Sequence, residues 1–227
     1  RARVHKAAGL VAEGFADDVL KNLPGTTALG HVRYSTAGGP GLVNAQPIVV
    51  RYHQGDLAVV HNGNITNARI LREALVAEGA LFQSTTDTEV LVHLIARSRE
   101  PTPEAQLRDA LRQLEGAFSI IVTIGSTLYA ARDPWGFRPL ILGRCDGGHV
   151  VVSETCALDL LGAEYVRDLE PGELVRIDGD QVTRLEGLQP AQRLAPCIFE
   201  LIYFARPDSK LWGISVDRAR RALGRQL

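Results

Sequence analysis

Residues 57–67 of the chain read LAVVHNGNITN, and this stretch decides where the fold places its candidate site. The apolar run at 57–60 is too short for a helix and predicts a buried strand. Asn62 and Gly63 follow it, and this pair predicts a turn because both residues tolerate a left-handed backbone. We therefore expect a polar corner at the edge of a sheet, where an amide side chain and a glycine N–H point the same way. Two such donors can bind a developing oxyanion, and the alternative is an ordinary hairpin turn.

Composition predicts an ordinary globular protein. Of the 227 residues, 45% are hydrophobic and 22% are charged, which fits one large domain or two small ones. A net charge of -1 gives no reason to expect nucleic acid or an anionic membrane as a partner, and no apolar run is long enough to span a bilayer. Three cysteines without close pairing predict a reducing, cytoplasmic location. Because methionine is absent and both ends fall within regular patterns, we expect a fragment.

Strands and helices are grouped along the chain rather than alternating, which predicts an α+β protein with antiparallel sheets. We expect a strand at 1–11, a β-rich stretch at 26–34, a hairpin of 47–52 with 57–61, and an extended segment at 197–204. Further strands are predicted at 117–124, 127–132, 140–144 and 149–153, followed by a hairpin of 173–177 with 181–185. Helices are predicted near 67–78, 84–95, 102–115, 155–161 and 214–227. The inward residues of the first and last of these helices are predicted to include Ile70 and Ile214.

Two charged residues outside the Asn-Gly pair are candidates for ligand binding. Arg33 lies in GHVRYSTAGG at 30–39, and its planar guanidinium suits a carboxylate, the alternative being a surface ion pair. Asp87 opens a predicted helix, where the helix dipole stabilises a carboxylate, and the same position can receive an ammonium group. Capping boxes are predicted for Thr86 with Glu89 and for Ser84 with Asp87.

Seven stretches of this sequence carry a resemblance to known enzymes. Those at 30–39, 61–67 (HNGNITN) and 85–94 (TTDTEVLVHL) resemble, in order and spacing, the glutaminase domain of class II glutamine amidotransferases, which are N-terminal-nucleophile hydrolases. Those reading DPWGFRPL (133–140), VVSETCALD (151–159), EPGE (170–173) and CIFELIYFARPDS (197–209) resemble the amidophosphoribosyltransferase family. Asparagine synthetases and glucosamine-phosphate synthases share the first three, but not the segment at 203–209.

The resemblance implies a fold and a division of the chain. The family fold is a four-layer αββα sandwich, in which two antiparallel sheets lie between helices. By this resemblance, residues 1–195 are a glutaminase domain that lacks its N-terminal strand. Residues 196–227 are then the joint to a phosphoribosyltransferase domain and the start of it.

The resemblance also assigns roles to residues. In this class an N-terminal cysteine thiol attacks the glutamine side-chain amide, and its own α-amino group is the base. The Asn62 side chain and the Gly63 N–H would form the oxyanion hole. Arg33 would bind the substrate carboxylate, Asp87 would bind its ammonium group, and Tyr34 and Thr36 would line the same pocket.

For the whole enzyme, the resemblance implies a glycosyltransferase of purine biosynthesis. Ammonia from glutamine displaces pyrophosphate from phosphoribosyl pyrophosphate and gives 5-phosphoribosylamine, the first committed step. The parent enzyme would be a homo-oligomer and would use Mg²⁺ in the phosphoribosyltransferase domain. Cys197 matches a position that ligates a 4Fe-4S cluster in some members, so it is a weak ligand candidate. No cofactor is expected within these 227 residues.

The sequence departs from the family at the nucleophile. Residue 1 is Arg, and the three cysteines (Cys145, Cys156 and Cys197) are internal. We therefore expect the fragment to carry a glutamine pocket and to be inactive. Two alternatives remain open: the glutaminase domain of another class II amidotransferase, and a non-catalytic module that binds an amino acid.

Overall fold

A computed structural model describes residues 1–33, 39 and 41–227 of the chain. These residues form two compact units. The first unit comprises Arg1–Gly116 and Ile120–Tyr129, and the second comprises Ala117–Ser119 and Ala130–Leu227. Two of the strands, β3 (Gly116–Ile124) and β4 (Thr127–Arg132), contribute residues to both units.

The first unit combines an antiparallel hairpin with helices. Its helices are α1 (Val11–Gly14), α2 (Asp17–Lys21), α3 (Ala68–Ala77), α4 (Thr88–Arg97) and α5 (Pro103–Arg112), with a 3-10 turn at Leu42–Asn44. Its strands lie in the order β1 (Ile48–Tyr52), β2 (Gly55–Ile65), β3 and β4. The predicted hairpin is confirmed, since β1 and β2 are antiparallel with Tyr52 opposite Gly55.

The Asn-Gly pair lies inside a strand, so the predicted turn is wrong. β2 continues for two residues beyond Gly63 and ends at Ile65. Gly63 has a φ of +155°, a nearly extended conformation that glycine adopts without a Cβ penalty. Ile65 is buried, and burial of this apolar side chain favours continuation of the strand past the polar residues.

Helices α3, α4 and α5 occur where the sequence predicts them. In α4, residues Val90, Leu91, Leu94 and Ile95 are buried as predicted. Thr102 caps α5 by accepting a hydrogen bond from the Ala105 N–H at 3.2 Å. The prediction that Ile70 faces inward is wrong: its side chain is 64% exposed, because it lies about 140° around the helix from Leu75, the buried residue of α3.

Both predicted capping boxes are wrong in their pairing. The N-cap residue of α4 is Asp87, and its side chain makes no cap hydrogen bond. The Glu89 carboxylate reaches past Thr86 and accepts hydrogen bonds from the N–H groups of Gln83 and Ser84 at 2.8 and 2.7 Å. Glu89 therefore fixes the loop before the helix, rather than the first turn of the helix.

The N-terminal part of the chain does not form the predicted strands. Within the described residues before β1, the regular elements are α1, α2 and the 3-10 turn. Val4 and Leu10 are exposed, so residues 1–11 do not form one side of a buried sheet, and the predicted strand there is wrong.

The second unit contains strands of three sheets, one of which is a two-stranded antiparallel pair at residues 210–215, and two α-helices. Its strands are β5 (Ile141–Cys145), β6 (Gly148–Val152), β7 (Glu164–Asp168), β8 (Leu174–Asp178), β9 (Gln181–Leu185), β10 (Lys210–Leu211) and β11 (Ile214–Ser215), with helices α6 (Thr155–Leu161) and α7 (Val216–Gln226). Strands β3, β4, β8 and β9 follow one another in one sheet, and β6-β5-β7 form another. The pairs β5–β6, β5–β7 and β8–β9 are antiparallel, which confirms the predicted α+β class.

Three predictions in this unit need correction. Strand β7 was missed, because its residues Tyr165 and Val166 are exposed and give no alternating burial signal. Residues 200–204, predicted to be extended, form a π-helical turn (Glu200–Phe204) in which the buried Glu200 pairs with Arg138 at 2.7 Å. Ile214 belongs to β11 and is 46% exposed, so it does not face inward.

Candidate functional site

The polar end of β2 is held in place by a glutamine side chain. The His61 N–H donates to Gln46 Oε1 at 2.6 Å, and Gln46 Nε2 donates to the His61 carbonyl at 3.3 Å. His61 itself is buried, whereas Asn62 and Gly63 are partly exposed. The backbone is therefore fixed next to two residues that remain accessible to a ligand.

Asp87 lies against the same strand end. Its Oδ2 accepts a hydrogen bond from the Ile65 N–H at 2.9 Å and lies 3.9 Å from His61 Nδ1. Asp87 also precedes the first turn of α4, where the helix dipole favours a negative charge. The structure thus brings the predicted carboxylate to the strand that carries Asn62 and Gly63.

Arg33 is linked to the segment before Asp87 through Gly39. Arg33 Nη1 donates to the Gly39 carbonyl at 3.2 Å, and the Gly39 N–H donates to Thr85 Oγ1 at 3.1 Å. Thr85 lies two residues before Asp87. The other two predicted pocket residues, Tyr34 and Thr36, lie outside the described residues.

Sequence reasoning missed the amide side chains that support these groups. Asn44, which is 2% exposed, and Gln46 flank Ala45 just before β1. Gln46 Nε2 also lies 3.3 Å from Thr88 Oγ1, at the start of α4. No local pattern marks these two amides in the sequence, because their partners His61, Thr85 and Thr88 lie 15 to 42 residues away along the chain.

A second support holds the loop that leads to Asp87. Arg72 on α3 donates to the carbonyls of Ser84 and Thr86 at 3.0 and 2.7 Å. Its guanidinium also lies 3.9 Å from the centre of the Phe82 ring. Arg72 thus binds two main-chain carbonyls of this loop, while Glu89 binds the N–H groups of Gln83 and Ser84. Side chains therefore hold both the donors and the acceptors of the loop backbone.

The candidate site contains one positive side chain, Arg33, and one negative side chain, Asp87. The nearby His31 is neutral. Burial, together with the neighbouring His61 and Arg33, lowers the pKa of His31 from 6.5 to about 4. His31 is therefore neutral near pH 7, and it adds no positive charge beside Arg33. One guanidinium and one carboxylate suit a ligand that carries both an acid and an ammonium group.

In the second unit, two adjacent charges are buried: Arg132, the last residue of β4, and Asp133, the first residue of the connector that follows. The Arg132 guanidinium donates to three main-chain carbonyls, those of Gly136, Arg138 and Leu169, at 2.8, 2.8 and 2.6 Å. The Asp133 carboxylate accepts hydrogen bonds from three main-chain N–H groups, those of Phe118, Trp135 and Phe137. Main-chain dipoles therefore surround both charges.

Two further motifs of this unit contact each other. The Glu154 carboxylate accepts hydrogen bonds from the Arg206 N–H at 2.7 Å and from Ser209 Oγ at 2.8 Å. The stretch at 151–159 is thereby joined to the stretch at 197–209. All three cysteines are free thiols.

The described residues contain neither a metal cluster nor a spanning helix. Over residues 1–33, 39 and 41–227, no three His, Cys, Asp or Glu side chains group in a way that could hold a metal ion. No helix within these ranges has the length and apolar character needed to cross a bilayer.

Comparison with known families identifies the class. The family model described as a glutamine amidotransferase domain matches residues 39–159, which is more than half of the chain. The chain belongs to this family of glutamine amidotransferase domains.

The sequence relatives are more specific. The chain is 43% identical to the amidophosphoribosyltransferase of Rhizobium etli, over 96% of this chain and 45% of the relative. It is 43% identical to the Bacillus subtilis amidophosphoribosyltransferase, over 98% of this chain and 47% of the relative. It is 46% identical to amidophosphoribosyltransferase 1, chloroplastic, of Arabidopsis thaliana, over 95% of this chain and 38% of the relative. The chain spans about half the length of the curated relatives it matches.

Solved structures agree with this assignment. Glutamine phosphoribosylpyrophosphate amidotransferase from B. subtilis, complexed with ADP and GMP, has a TM-score of 0.87 and 41% identity, covering 97% of this chain and 48% of that one. A structure described as the allosteric regulatory enzyme of purine biosynthesis has a TM-score of 0.83 and 42% identity, covering 95% of this chain and 46% of that one. These similarities confirm the predicted α+β fold of the N-terminal-nucleophile hydrolase type.

Proposed function

We propose that this chain is the glutamine-binding part of an amidophosphoribosyltransferase. The observation that supports this most is the contact of the Asp87 carboxylate with Ile65, at the end of the strand that carries Asn62 and Gly63. The link from Arg33 through Gly39 to Thr85 adds a guanidinium to the same group of residues. High identity to enzymes of that name over nearly the whole chain supports the same function.

Arg33 and Asp87 select the substrate in this proposal. The guanidinium binds the α-carboxylate of glutamine, and Asp87 binds its α-ammonium group. A simple amide lacks both charges and leaves both protein groups without a partner. Because unpaired charges in a partly dry site are costly, the site favours an amino acid over other amides. Tyr34 and Thr36 line the same pocket in this proposal.

Asn62 and Gly63 stabilise the charge that develops during amide cleavage. A thiolate attacks the side-chain carbonyl carbon of glutamine, and its oxygen becomes an oxyanion bound by the Asn62 amide and the Gly63 N–H. One such donor typically lowers the barrier by about 3 kcal/mol. The C–N bond then breaks, the protonated nitrogen leaves as ammonia, and water releases glutamate from the thioester. In this class the thiolate belongs to an N-terminal cysteine, whereas residue 1 of this chain is Arg.

The wider reaction belongs to the full-length relatives. Ammonia would displace pyrophosphate from phosphoribosyl pyrophosphate, with Mg²⁺, in the phosphoribosyltransferase domain. The domain boundary at 195/196, a homo-oligomer and a cytoplasmic location stay predictions. Cys197 also stays a candidate for a 4Fe-4S ligand, but one thiol does not form a cluster site, and among the described residues no three His, Cys, Asp or Glu side chains group in a way that could hold a metal ion. No step is assigned to that group.

Calorimetry on the 227-residue chain tests the proposal. We expect L-glutamine to bind, and Arg33→Ala and Asp87→Ala each to weaken binding at least about 30-fold, since each removes one partner of a charge pair. Arg69→Ala is the matched control, because Arg69 forms an exposed pair with Glu73 on α3. Unchanged affinity in both site variants, or no binding to the unaltered chain, would contradict the proposal.

An ammonia-release assay separates binding from catalysis. We expect the polypeptide of these 227 residues to bind glutamine without releasing ammonia. Release that stops when one internal cysteine is blocked would show that the nucleophile is wrongly assigned. If the chain belongs to another class II amidotransferase, the full-length protein should transfer ammonia to a different acceptor. If it is a non-catalytic module, the full-length protein should bind glutamine without releasing ammonia.

A further inference from the structure

Asn44 is a buried amide whose hydrogen bonds join two separate segments. Its Nδ2 donates to the Gly39 carbonyl at 2.8 Å and to Thr85 Oγ1 at 3.0 Å. Its Oδ1 accepts from the Thr85 N–H at 2.9 Å. A carbonyl only accepts and an N–H only donates, so these contacts fix the orientation of the amide.

The first segment, called the Arg33 segment, contains Arg33 and Gly39, and the second, called the Asp87 segment, contains Thr85 and Asp87. Each therefore carries one charged group of the proposed site. The Gly39 carbonyl that accepts from Asn44 also accepts from Arg33 Nη1 at 3.2 Å. Thr85 lies two residues before Asp87, and its Oγ1 accepts from the Gly39 N–H at 3.1 Å. Asn44, Gly39 and Thr85 therefore form a closed ring of hydrogen bonds between the Arg33 segment and the Asp87 segment.

We propose that Asn44 is a positioning residue that holds the Arg33 and Asp87 segments at the separation that the α-carboxylate and the α-ammonium group of one amino acid require. This inference rests on the proposed function. A ligand with two charges gains affinity when its second contact forms at high effective concentration, and that concentration depends on how well the two segments are held together. A ligand with one charge contacts one segment, so it gains nothing from the ring.

Ligands that lack one charge test this directly. The probes are L-glutamine, glutaramate, which lacks the α-ammonium group, and 4-aminobutanamide, which lacks the α-carboxylate. Dissociation constants are measured by NMR titration, which reaches the millimolar range. For Asn44→Ala we expect about a tenfold loss of glutamine affinity, and less than about a twofold change for either single-charge probe.

Asn67→Ala is the matched control. Asn67 also joins two segments with one donor and one acceptor, to the Gln113 carbonyl at 2.9 Å and the Glu115 N–H at 3.1 Å. Neither segment carries Arg33 or Asp87. We expect this variant to lower thermal stability while leaving the ratio of glutamine affinity to probe affinity unchanged.

A second variant covers the case in which Asn44→Ala does not fold. Because a carboxylate at this buried position would face the Gly39 carbonyl, Thr85→Ala is the better second variant: Thr85 is exposed, its Oγ1 accepts from the Gly39 N–H and from Asn44 Nδ2, and its loss opens the ring without adding a charge. The same selective loss of glutamine affinity is expected for Thr85→Ala. An equal loss for all three ligands, no loss for any of them, or a selective loss in Asn67→Ala would overturn the inference. Failure of the unaltered chain to bind glutamine would instead contradict the proposed function.

Discussion

The Asp87 carboxylate accepts a hydrogen bond from the Ile65 main-chain N–H at 2.9 Å, so one side chain both anchors the end of β2 and supplies the negative charge of the site. These two roles separate on substitution. Asp87→Asn keeps an acceptor oxygen for Ile65 but loses the charge, whereas Asp87→Ala loses both. We expect Asp87→Ala to lower the free energy of unfolding by about 1–2 kcal/mol and Asp87→Asn by clearly less. Chemical denaturation measures both values. Equal losses would show that the hydrogen bond to Ile65 does not stabilise the strand end.

Arg72 should stabilise the loop before α4. Arg72→Met keeps much of the apolar contact with Phe82 but removes the donors to Ser84 and Thr86. Because two buried carbonyls lose their partner, we expect a loss of about 1–3 kcal/mol in the free energy of unfolding. Arg69→Met, three residues earlier on the same helix, should cost less than about 0.5 kcal/mol, since its pair with Glu73 is exposed. Urea titration measures the loss in the free energy of unfolding for both variants, and equal losses would contradict the prediction.

Gly116 should not tolerate a side chain. Its φ is +121°, and an added Cβ would collide with the Asn64 carbonyl and lie 2.9 Å from the Thr66 N atom. Because both neighbours are main-chain atoms next to β2, we expect Gly116→Ala to cost about 3 kcal/mol or more. Gly148→Ala is the control, because no atom lies within 4 Å of its added Cβ. A melting temperature for Gly116→Ala within a degree or two of the control would contradict the prediction.

His31 should make stability depend on pH between 6.5 and 4. Burial, with His61 and Arg33 nearby, lowers its pKa from 6.5 to about 4 in the folded protein. The unfolded chain therefore binds a proton first as the pH falls, and stability present above pH 6.5 is lost toward pH 4. The side chain is partly exposed, so we expect His31→Gln to remove about 1–2 kcal/mol of this pH dependence. Chemical denaturation at pH 7 and pH 4.5 measures how much the free energy of unfolding changes between these two pH values. An equal change in His31→Gln and in the unaltered chain would contradict the prediction.

Glu173 should contribute stability that acid removes. Burial of its carboxylate opposes ionisation, but hydrogen bonds from Arg167, both at 2.7 Å, and from the Glu170 N–H outweigh this and lower its pKa. A lowered pKa means that the stabilisation is present above the ordinary value of 4.5 and is lost as the pH falls below it. We expect Glu173→Gln to cost about 3 kcal/mol at pH 7 and less near pH 3.

The control for Glu173 is a nearby exposed pair. Arg184 and Glu170 are separated by 2.8 Å, with both side chains mostly in solvent. Glu170→Gln should therefore cost less than about 0.5 kcal/mol at any pH. A Glu173→Gln loss of similar size would mean that the bridge to Arg167 is not stabilising.

The sequence allowed prediction of most helices and hairpins, because those elements have strong local signals. Helix α5 has a threonine cap and a proline, and the β1–β2 hairpin has two apolar runs around a short polar link. Prediction failed where contacts distant in sequence decide the structure. The strand β7 is exposed, and the turn at 200–204 depends on a buried ion pair with Arg138, 62 residues earlier.

The candidate site was predictable only in part, for the same reason. Asn62, Gly63, Arg33 and Asp87 were predicted through motifs that carry recognisable chemistry, and their roles stay predictions. Asn44, Gln46 and Arg72 were missed, because each bonds to at least one main-chain group that lies 14 or more residues away in sequence. Side chains that support a site in this way leave no local pattern, since any residue type with a suitable donor or acceptor could serve.

The segment at 132–138 sets a limit on how this domain can be engineered. Arg132 and Asp133 have main-chain carbonyls and amides where water would otherwise solvate them. An insertion or deletion there would withdraw those dipoles and leave two ionised groups in the protein interior without solvation, which costs several kcal/mol for each ion. Loop grafts and chimaeras between relatives should therefore place their junctions outside this segment.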